Sequence, residues 1–183
     1  MKGEQHQVKK AVEEIGASVG KEKAQELQNV AAKVVQQGMM PKDMMGLSDA
    51  MVEGIYGQAF RLYNTGKYRD ASQLFRLLIM LNSTEPKYAM GLAACFHMLK
   101  EYKNAVSTYA ICGVIDPDNP VPHYHASDCY INLGDSASAL IALEMAIKRA
   151  GEKPEYQTLK DRAKMMIEAL KKESSEKTGE EKE

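Results

Sequence analysis

Three cysteines and two histidines are the residues of this sequence whose types and spacing could support chemistry. Cys95, Cys112 and Cys129 follow one another at intervals of 17 residues, and His125 lies four residues before Cys129. A histidine and a cysteine at that spacing share one helix face, which would make half of a tetrahedral zinc site. No second pair has ligand spacing, and His123 falls on a different face of the same helix. The pattern therefore gives only weak support for a metal or thiol site.

An internal repeat explains the cysteine spacing more simply. Cys95 and Cys129 occupy equivalent positions 34 residues apart, and Cys112 takes a small-residue position that Ala146 holds in the next copy. Because a free buried cysteine behaves as a small apolar residue, we expect all three in the core. An odd number of dispersed cysteines indicates reduced thiols in a cytoplasm. Nucleophile motifs, phosphate loops and paired carboxylates are also missing, so the sequence predicts neither an enzyme nor a bound cofactor or metal.

The repeat has the 34-residue period of the tetratricopeptide motif, which is a pair of antiparallel helices. Small or large residues recur at fixed places in each copy, as in the sets Ala71, Ala105 and Ala139; Ala59, Ala93 and Ser127; and Leu62, Phe96 and Tyr130. Small residues let paired helices approach closely, and large residues fill the gaps between units. The sequence predicts an all-α solenoid of three helix pairs over 48–153, with repeats at 52–85, 86–119 and 120–153.

Further helices should flank the repeats. Residues 1–47 are predicted to form a helical extension and linker, with apolar residues at helical spacing within 4–19 and 21–37. Ser48 is a suitable N-cap for the first repeat helix. After the repeats, a helix over 154–172 would cap the solenoid, since a terminal repeat needs a polar outer face. Residues 173–183 have almost no apolar content and are predicted to be disordered.

Methionines cluster around the linker, and two interpretations stay open. The cluster contains Met39, Met40, Met44, Met45 and Met51. Flexible methionine side chains could pack the linker against the first repeat, which we favour slightly. They could instead form an adaptable surface for another protein or a second protomer.

Composition excludes several functional classes. The chain has 183 residues, a formal net charge of −1 and 44% hydrophobic residues. Its near-neutral charge balance gives no electrostatic footprint for nucleic acid or an anionic membrane. Its apolar runs are far shorter than the roughly 20 residues of a membrane span, and its N-terminus lacks the apolar region of a secretory signal. We therefore expect a cytoplasmic protein that neither binds nucleic acid nor inserts into a membrane.

Aromatic residues in the first repeat mark the predicted binding surface. Tyr56, Phe60 and Tyr63 share one helix face, which is not the face that carries Ala59 and Leu62. Because the first helix of each repeat lines the concave surface, these rings should point into a groove. The predicted groove residues are Tyr56, Phe60, Tyr63, Asn64, Lys87, Met90, Ala94, His97, Tyr124, His125 and Asp128. Such a surface suits an extended peptide with spaced apolar side chains. Alternatively, the rings pack against a flanking segment of the same chain.

Three runs resemble one particular family. Residues 55–71, IYGQAFRLYNTGKYRDA, look like the first repeat of the class II type III secretion chaperones of Gram-negative bacteria, the SycD, LcrH, IpgC and SicA group. Residues 91–95, GLAAC, and 125–129, HASDC, resemble two further family stretches. The similarity covers about residues 42–172, and Ser136 departs from the bulky residue usual at its position.

The resemblance implies a cytoplasmic, non-enzymatic chaperone. Family members hold the hydrophobic translocator proteins of the secretion system before export, with an extended cargo segment in the concave groove. The family's aromatic groove positions match Tyr56, Phe60 and Tyr63, and its second-repeat positions match Met90 and its neighbours. The N-terminal helices often mediate a homodimer, so a homodimer is also implied.

Two other functions remain as alternatives. A generic tetratricopeptide adaptor could capture an acidic C-terminus, but that mode needs Lys, Arg and Asn in the groove to hold a carboxylate. Three of the positions that would hold the carboxylate are occupied here by Tyr56, Phe60 and Val121. These residues disfavour the adaptor hypothesis. An enzyme that uses the Cys and His residues is the third hypothesis, and it would lose its function when all three cysteines are replaced.

Overall fold

The computed structural model of the protein describes residues 41–180, and every regular element in that range is helical. The all-α prediction is thereby confirmed. The helices are α1 (Pro41–Met44), α2 (Asp49–Asn64), α3 (Tyr68–Leu81), α4 (Pro86–Met98), α5 (Tyr102–Ile115), α6 (Val121–Asn132), α7 (Ser136–Ala150) and α8 (Gln157–Glu180), with a 3₁₀ turn at Pro154–Tyr156. The helical segments predicted within 4–19 and 21–37, together with Met39 and Met40, lie outside the described residues.

The described chain divides into two compact units. The smaller contains the residues up to Glu53 together with Met80–Asn82, and the larger contains Gly54–Ile79 and the described residues from Ser83 onwards. Three helix pairs, α2–α3, α4–α5 and α6–α7, correspond to the three predicted pairs. None of the helices in the described range is long and apolar enough to span a membrane.

The smaller unit holds the start of α2. The Ser48 hydroxyl accepts a hydrogen bond from the Met51 amide at 3.3 Å, so the predicted N-cap is confirmed. Within the predicted linker, α1 forms a single short turn, and Lys42 pairs with Asp49. Met45 and Met51 are 67% and 56% exposed. For these two methionines the favoured interpretation, packing of the linker, is therefore wrong.

In the larger unit, small residues at repeat positions form the contacts between helices. Each of α4, α5, α6 and α7 packs against the helix that follows it. The recurring small residues are completely buried; they are Ala59, Ala71, Ala93, Ala105, Ser127 and Ala139. Because these side chains are short, neighbouring helices approach closely, and large residues such as Phe75 and Leu143 fill the remaining space.

The turn inside each helix pair uses a left-handed residue at the same repeat position. Gly66, Lys100 and Gly134 have φ of 77°, 60° and 76°. Each amide bonds back to the helix, for example Lys100 N to His97 O at 2.9 Å. The following residue closes a second bond, from Glu101 N to Phe96 O at 2.9 Å. This is the geometry that normally selects glycine, so Lys100 holds a conformation that costs free energy.

The terminal helix packs against the third repeat. Ala163 and Leu170 of α8 join Ala139 and Leu143 of α7 in one buried cluster. The Lys160 ammonium donates a hydrogen bond to the Gly151 carbonyl at 2.5 Å, which fixes the start of α8. The prediction of a disordered tail from residue 173 is corrected for 173–180, because α8 continues to Glu180. Glu and Lys make up half of that stretch, and although they supply little apolar surface, both are good helix formers.

Candidate functional site

Six of the predicted groove residues surround one pocket in the larger unit. The pocket has a volume of about 220 Å³ and is formed by α2, α3 and α4. We call it the aromatic pocket; its lining residues are Tyr56, Phe60, Tyr63, Phe75, Lys87, Met90, Gly91 and Ala94. It is smaller than the roughly 300 Å³ at which small-molecule sites begin, so its size suits a side chain rather than a cofactor.

Ring contacts fix the shape of the aromatic pocket. The Tyr56 ring stacks on Phe60 with centroids 6.2 Å apart and meets Phe75 edge-on, also at 6.2 Å. Tyr88, which is buried, lies 5.9 Å from Tyr56 on the side of α4. Tyr56 is thus held by the core, whereas Phe60 is 50% exposed. The exposed half of the Phe60 ring, which packs against the fixed Tyr56 ring, can contact an apolar side chain of another molecule.

Lys87 brings a positive charge to the rim of the aromatic pocket. Its ammonium nitrogen lies 4.4 Å from the centre of the Tyr56 ring and 5.6 Å from that of Tyr88. These are cation–π distances, so the lysine is oriented by the ring faces.

Two residues of the aromatic pocket, Phe75 and Gly91, were not predicted as site residues. Phe75 is almost fully buried and forms the floor of the pocket. A Cβ atom at Gly91 would overlap the Phe75 ring, so only glycine allows α4 to approach that ring. The available signal was a lone glycine inside a helix, which usually has a packing or functional reason.

Four of the five other predicted groove residues, His97, Tyr124, His125 and Asp128, form a polar cluster between the second and third repeats. His97 Nε2 lies 2.7 Å from Asp128 Oδ2, which joins α4 to α6. The Tyr109 hydroxyl lies 3.5 Å from His97 Nδ1. A carboxylate oxygen only accepts hydrogen bonds, so His97 Nε2 is the donor in the contact with Asp128. His125 stacks on Tyr109 with centroids 5.7 Å apart.

Burial shifts the pKa values of two groups in the polar cluster, Tyr109 and His125. It raises the pKa of the Tyr109 hydroxyl, which stays protonated. It also lowers the pKa of His125, and the nearby His97 lowers it further, while Asp128 has the opposite, smaller effect. Tyr124 meets His125 edge-on at 5.7 Å and so belongs to the cluster. Tyr109 was not among the predicted groove residues, because its hydroxyl contact with His97 depends on tertiary structure.

One predicted groove residue joins neither group. Asn64 is the last residue of α2, is exposed, and does not line the aromatic pocket. It lies just before the turn at Gly66, where the chain leaves the groove-facing helix.

Comparison with known proteins now identifies the family. The tetratricopeptide repeat model matches residues 52–83 and 86–119. The Low calcium response locus protein H of Yersinia pseudotuberculosis is 32% identical over 125 residues, which are 68% of this chain and 74% of that protein. The chain belongs to the class II type III secretion chaperones.

Solved structures of class II chaperones share the fold. The Yersinia enterocolitica type III secretion translocator chaperone SycD is 30% identical with a TM-score of 0.67, over 72% of this chain and 98% of that one. PcrH of Pseudomonas aeruginosa, solved in complex with the chaperone binding region of PopD, is 32% identical with a TM-score of 0.68, over 70% and 97% of the two chains. SycD has also been solved as an alternative dimer.

The cysteines of this class II chaperone are packing residues. All three are buried and unpaired, as predicted. Burial raises the pKa of Cys95 and Cys129 to about 12 and that of Cys112 to about 11, so each stays a thiol at neutral pH. Across the described part of the chain, no group of three or more His, Cys, Asp or Glu residues could hold a metal ion.

Proposed function

We propose that this class II chaperone binds hydrophobic translocator proteins in the cytoplasm of a Gram-negative bacterium and keeps them soluble and competent for secretion, without catalysing a reaction. A short extended segment of the translocator would lie along the surface formed by α2, α4 and α6. The aromatic pocket, with Phe60 half exposed on a rigid wall, is the observation that carries this proposal. PcrH, which was solved with a segment of PopD, supports it by family membership.

The aromatic pocket would receive an apolar side chain of the cargo. Burial of that side chain against Tyr56, Phe60 and Met90 removes apolar surface from water, which supplies most of the free energy in peptide anchoring. Since Tyr56 is already held by Phe75 and Tyr88, little conformational entropy is lost when cargo binds.

The polar cluster would meet the backbone of the same segment further along. An extended peptide has amides and carbonyls that need partners, and the Asp128 side chain is 48% exposed beside His97. The carboxylate can accept from a peptide amide while it keeps its bond to His97, since each oxygen has two acceptor sites.

Co-expression with a translocator tests the proposal. A translocator from the same bacterium would be produced with the wild-type chaperone, with the triple variant Tyr56→Ala, Phe60→Ala, Tyr63→Ala, or with Met165→Ala. Met165 is an exposed apolar residue of α8, far from these rings in sequence, and serves as the matched control. We expect soluble complex with the wild type and the control and aggregated translocator with the triple variant. Equal recovery with all three proteins would refute the proposal.

We further propose that this chaperone forms a homodimer, as the related SycD does, and that residues 1–47 mediate it. Deletion of residues 1–37 should then lower the number of protomers that light scattering measures from two to one, while the helical signal of the repeats stays. An unchanged number of protomers after the deletion would exclude the N-terminal dimer.

A further inference from the structure

A second groove of the larger unit lies between α5 and α7 and shares no residue with the aromatic pocket. It has a volume of about 320 Å³, and part of α6 forms its floor. The walls are mainly aliphatic, with Val106 and Val114 on α5 and Ile141 and Met145 on α7. Small residues on the same walls, such as Gly113 and Ala142, leave the space open. We call it the α5–α7 groove.

The aliphatic residues of the α5–α7 groove are unusually exposed. Val114 on α5 is 79% exposed, and Ile141 on α7 is 63% exposed. Such residues scattered singly are normal on a protein surface. Here they lie together on two helices that border one groove, which is typical of an interaction surface.

One end of the α5–α7 groove carries the positive charge of Arg149, which forms no ion pair among the described residues. Arg149 lines the groove, and its buried Nε meets no hydrogen-bond acceptor in the described part of the chain. The Glu152 carboxylate, three residues further along the chain, lies 3.5 Å from the Lys160 ammonium group. His123 also lines the groove. Burial lowers the pKa of His123, and the positive charge of Arg149 lowers it further. Among the described lining residues there is no Asp or Glu.

We infer that the α5–α7 groove is a docking surface for an amphipathic helix of another protein that presents a carboxylate beside aliphatic side chains. Two neighbouring helices with a furrow between them can accept the apolar face of a third helix. A carboxylate at the Arg149 end would give the guanidinium the planar acceptor it lacks. This surface goes beyond the proposed cargo segment, since it leaves the aromatic pocket free.

A designed peptide tests the chemistry directly. The probe is a synthetic helical peptide of about 16 residues, long enough to hold a helix, with leucines on one face and one glutamate beside them. A matched peptide replaces the glutamate with glutamine. Amide spectra of the full-length isotope-labelled chaperone would be recorded during titration with each peptide. We expect the signals of Gly113, Val114 and Ile141 to shift, and the glutamine peptide to bind about tenfold more weakly.

Three variants test whether the peptide binds in the α5–α7 groove and not elsewhere on the chaperone. Val114→Asp should abolish binding of the glutamate peptide and leave the helical signal unchanged, because the side chain is exposed. Arg149→Gln should remove the preference for glutamate over glutamine. Met165→Asp, at an equally exposed apolar site on α8, should change affinity by less than about twofold. Shifts at Gly91 and Ala94 instead of Gly113, or equal affinity for both peptides, would overturn the inference. Loss of self-association in Val114→Asp without peptide binding would assign the groove to a second copy of the chain.

Discussion

Replacement of Gly91 by alanine tests how tightly the aromatic pocket is built. An alanine in place of a helical glycine normally stabilises a protein by about 0.5–1 kcal/mol, because the unfolded chain loses freedom. At Gly91 the new methyl group would overlap the Phe75 ring, which is almost fully buried in the core. Such overpacking typically costs about 1–3 kcal/mol. We therefore expect a net destabilisation of about 1 kcal/mol.

Gly57 supplies the matched control for this substitution. It also lies inside a helix, but a Cβ atom added there meets nothing within 4 Å. Gly57→Ala should therefore raise the free energy of unfolding by about 0.5–1 kcal/mol. The difference between the two variants isolates the cost of the overlap with Phe75. Urea unfolding followed by circular dichroism measures both values. Equal stabilisation by the two substitutions would refute the account of how Phe75 and Gly91 shape the pocket.

Three further predictions concern the turn, the polar cluster and the thiols. Lys100→Gly should raise the free energy of unfolding by about 0.5–1 kcal/mol in urea, because it relieves a left-handed backbone; destabilisation would contradict this. Since burial holds the pKa of His125 below its ordinary 6.5, unfolding below that pH takes up a proton, so stability should fall between pH 7.5 and 5.5. His125→Gln should lessen that fall in stability. An identical pH dependence in the variant and the wild type would disprove the role of His125. At pH 8 the native protein should react slowly with a thiol reagent, whereas the unfolded protein should react at all three cysteines. Rapid labelling of the native protein would contradict the burial of the cysteines.

The helix pairs could be predicted from the sequence because the repeat constrains packing directly. Ala71, Ala105 and Ala139 recur at one period, and their burial is what lets the helices approach. The rings of Tyr56, Phe60 and Tyr63 could be assigned to one face for the same reason, since helical periodicity fixes which side chains lie together.

Contacts between distant residues could not be predicted in this way. The bond from His97 to Asp128 joins residues 31 positions apart, and it depends on how two repeats stack. The overlap that would arise between Phe75 and a side chain at position 91 likewise depends on the spacing of α3 and α4. The tail was mispredicted because low apolar content argues against packing into a core, and not against a helix of Glu and Lys.

The affinity for a cargo segment tests the central claim most directly. Calorimetric titration would compare the wild-type chaperone with Phe60→Ala and Met165→Ala, using the chaperone-binding segment of a co-purified translocator. Phe60 is half exposed, so its loss should leave stability almost unchanged but weaken binding by about 1–3 kcal/mol, which is about 5- to 150-fold. Met165→Ala should bind as the wild type does. An unchanged dissociation constant for Phe60→Ala would contradict the proposal that cargo binds in the aromatic pocket.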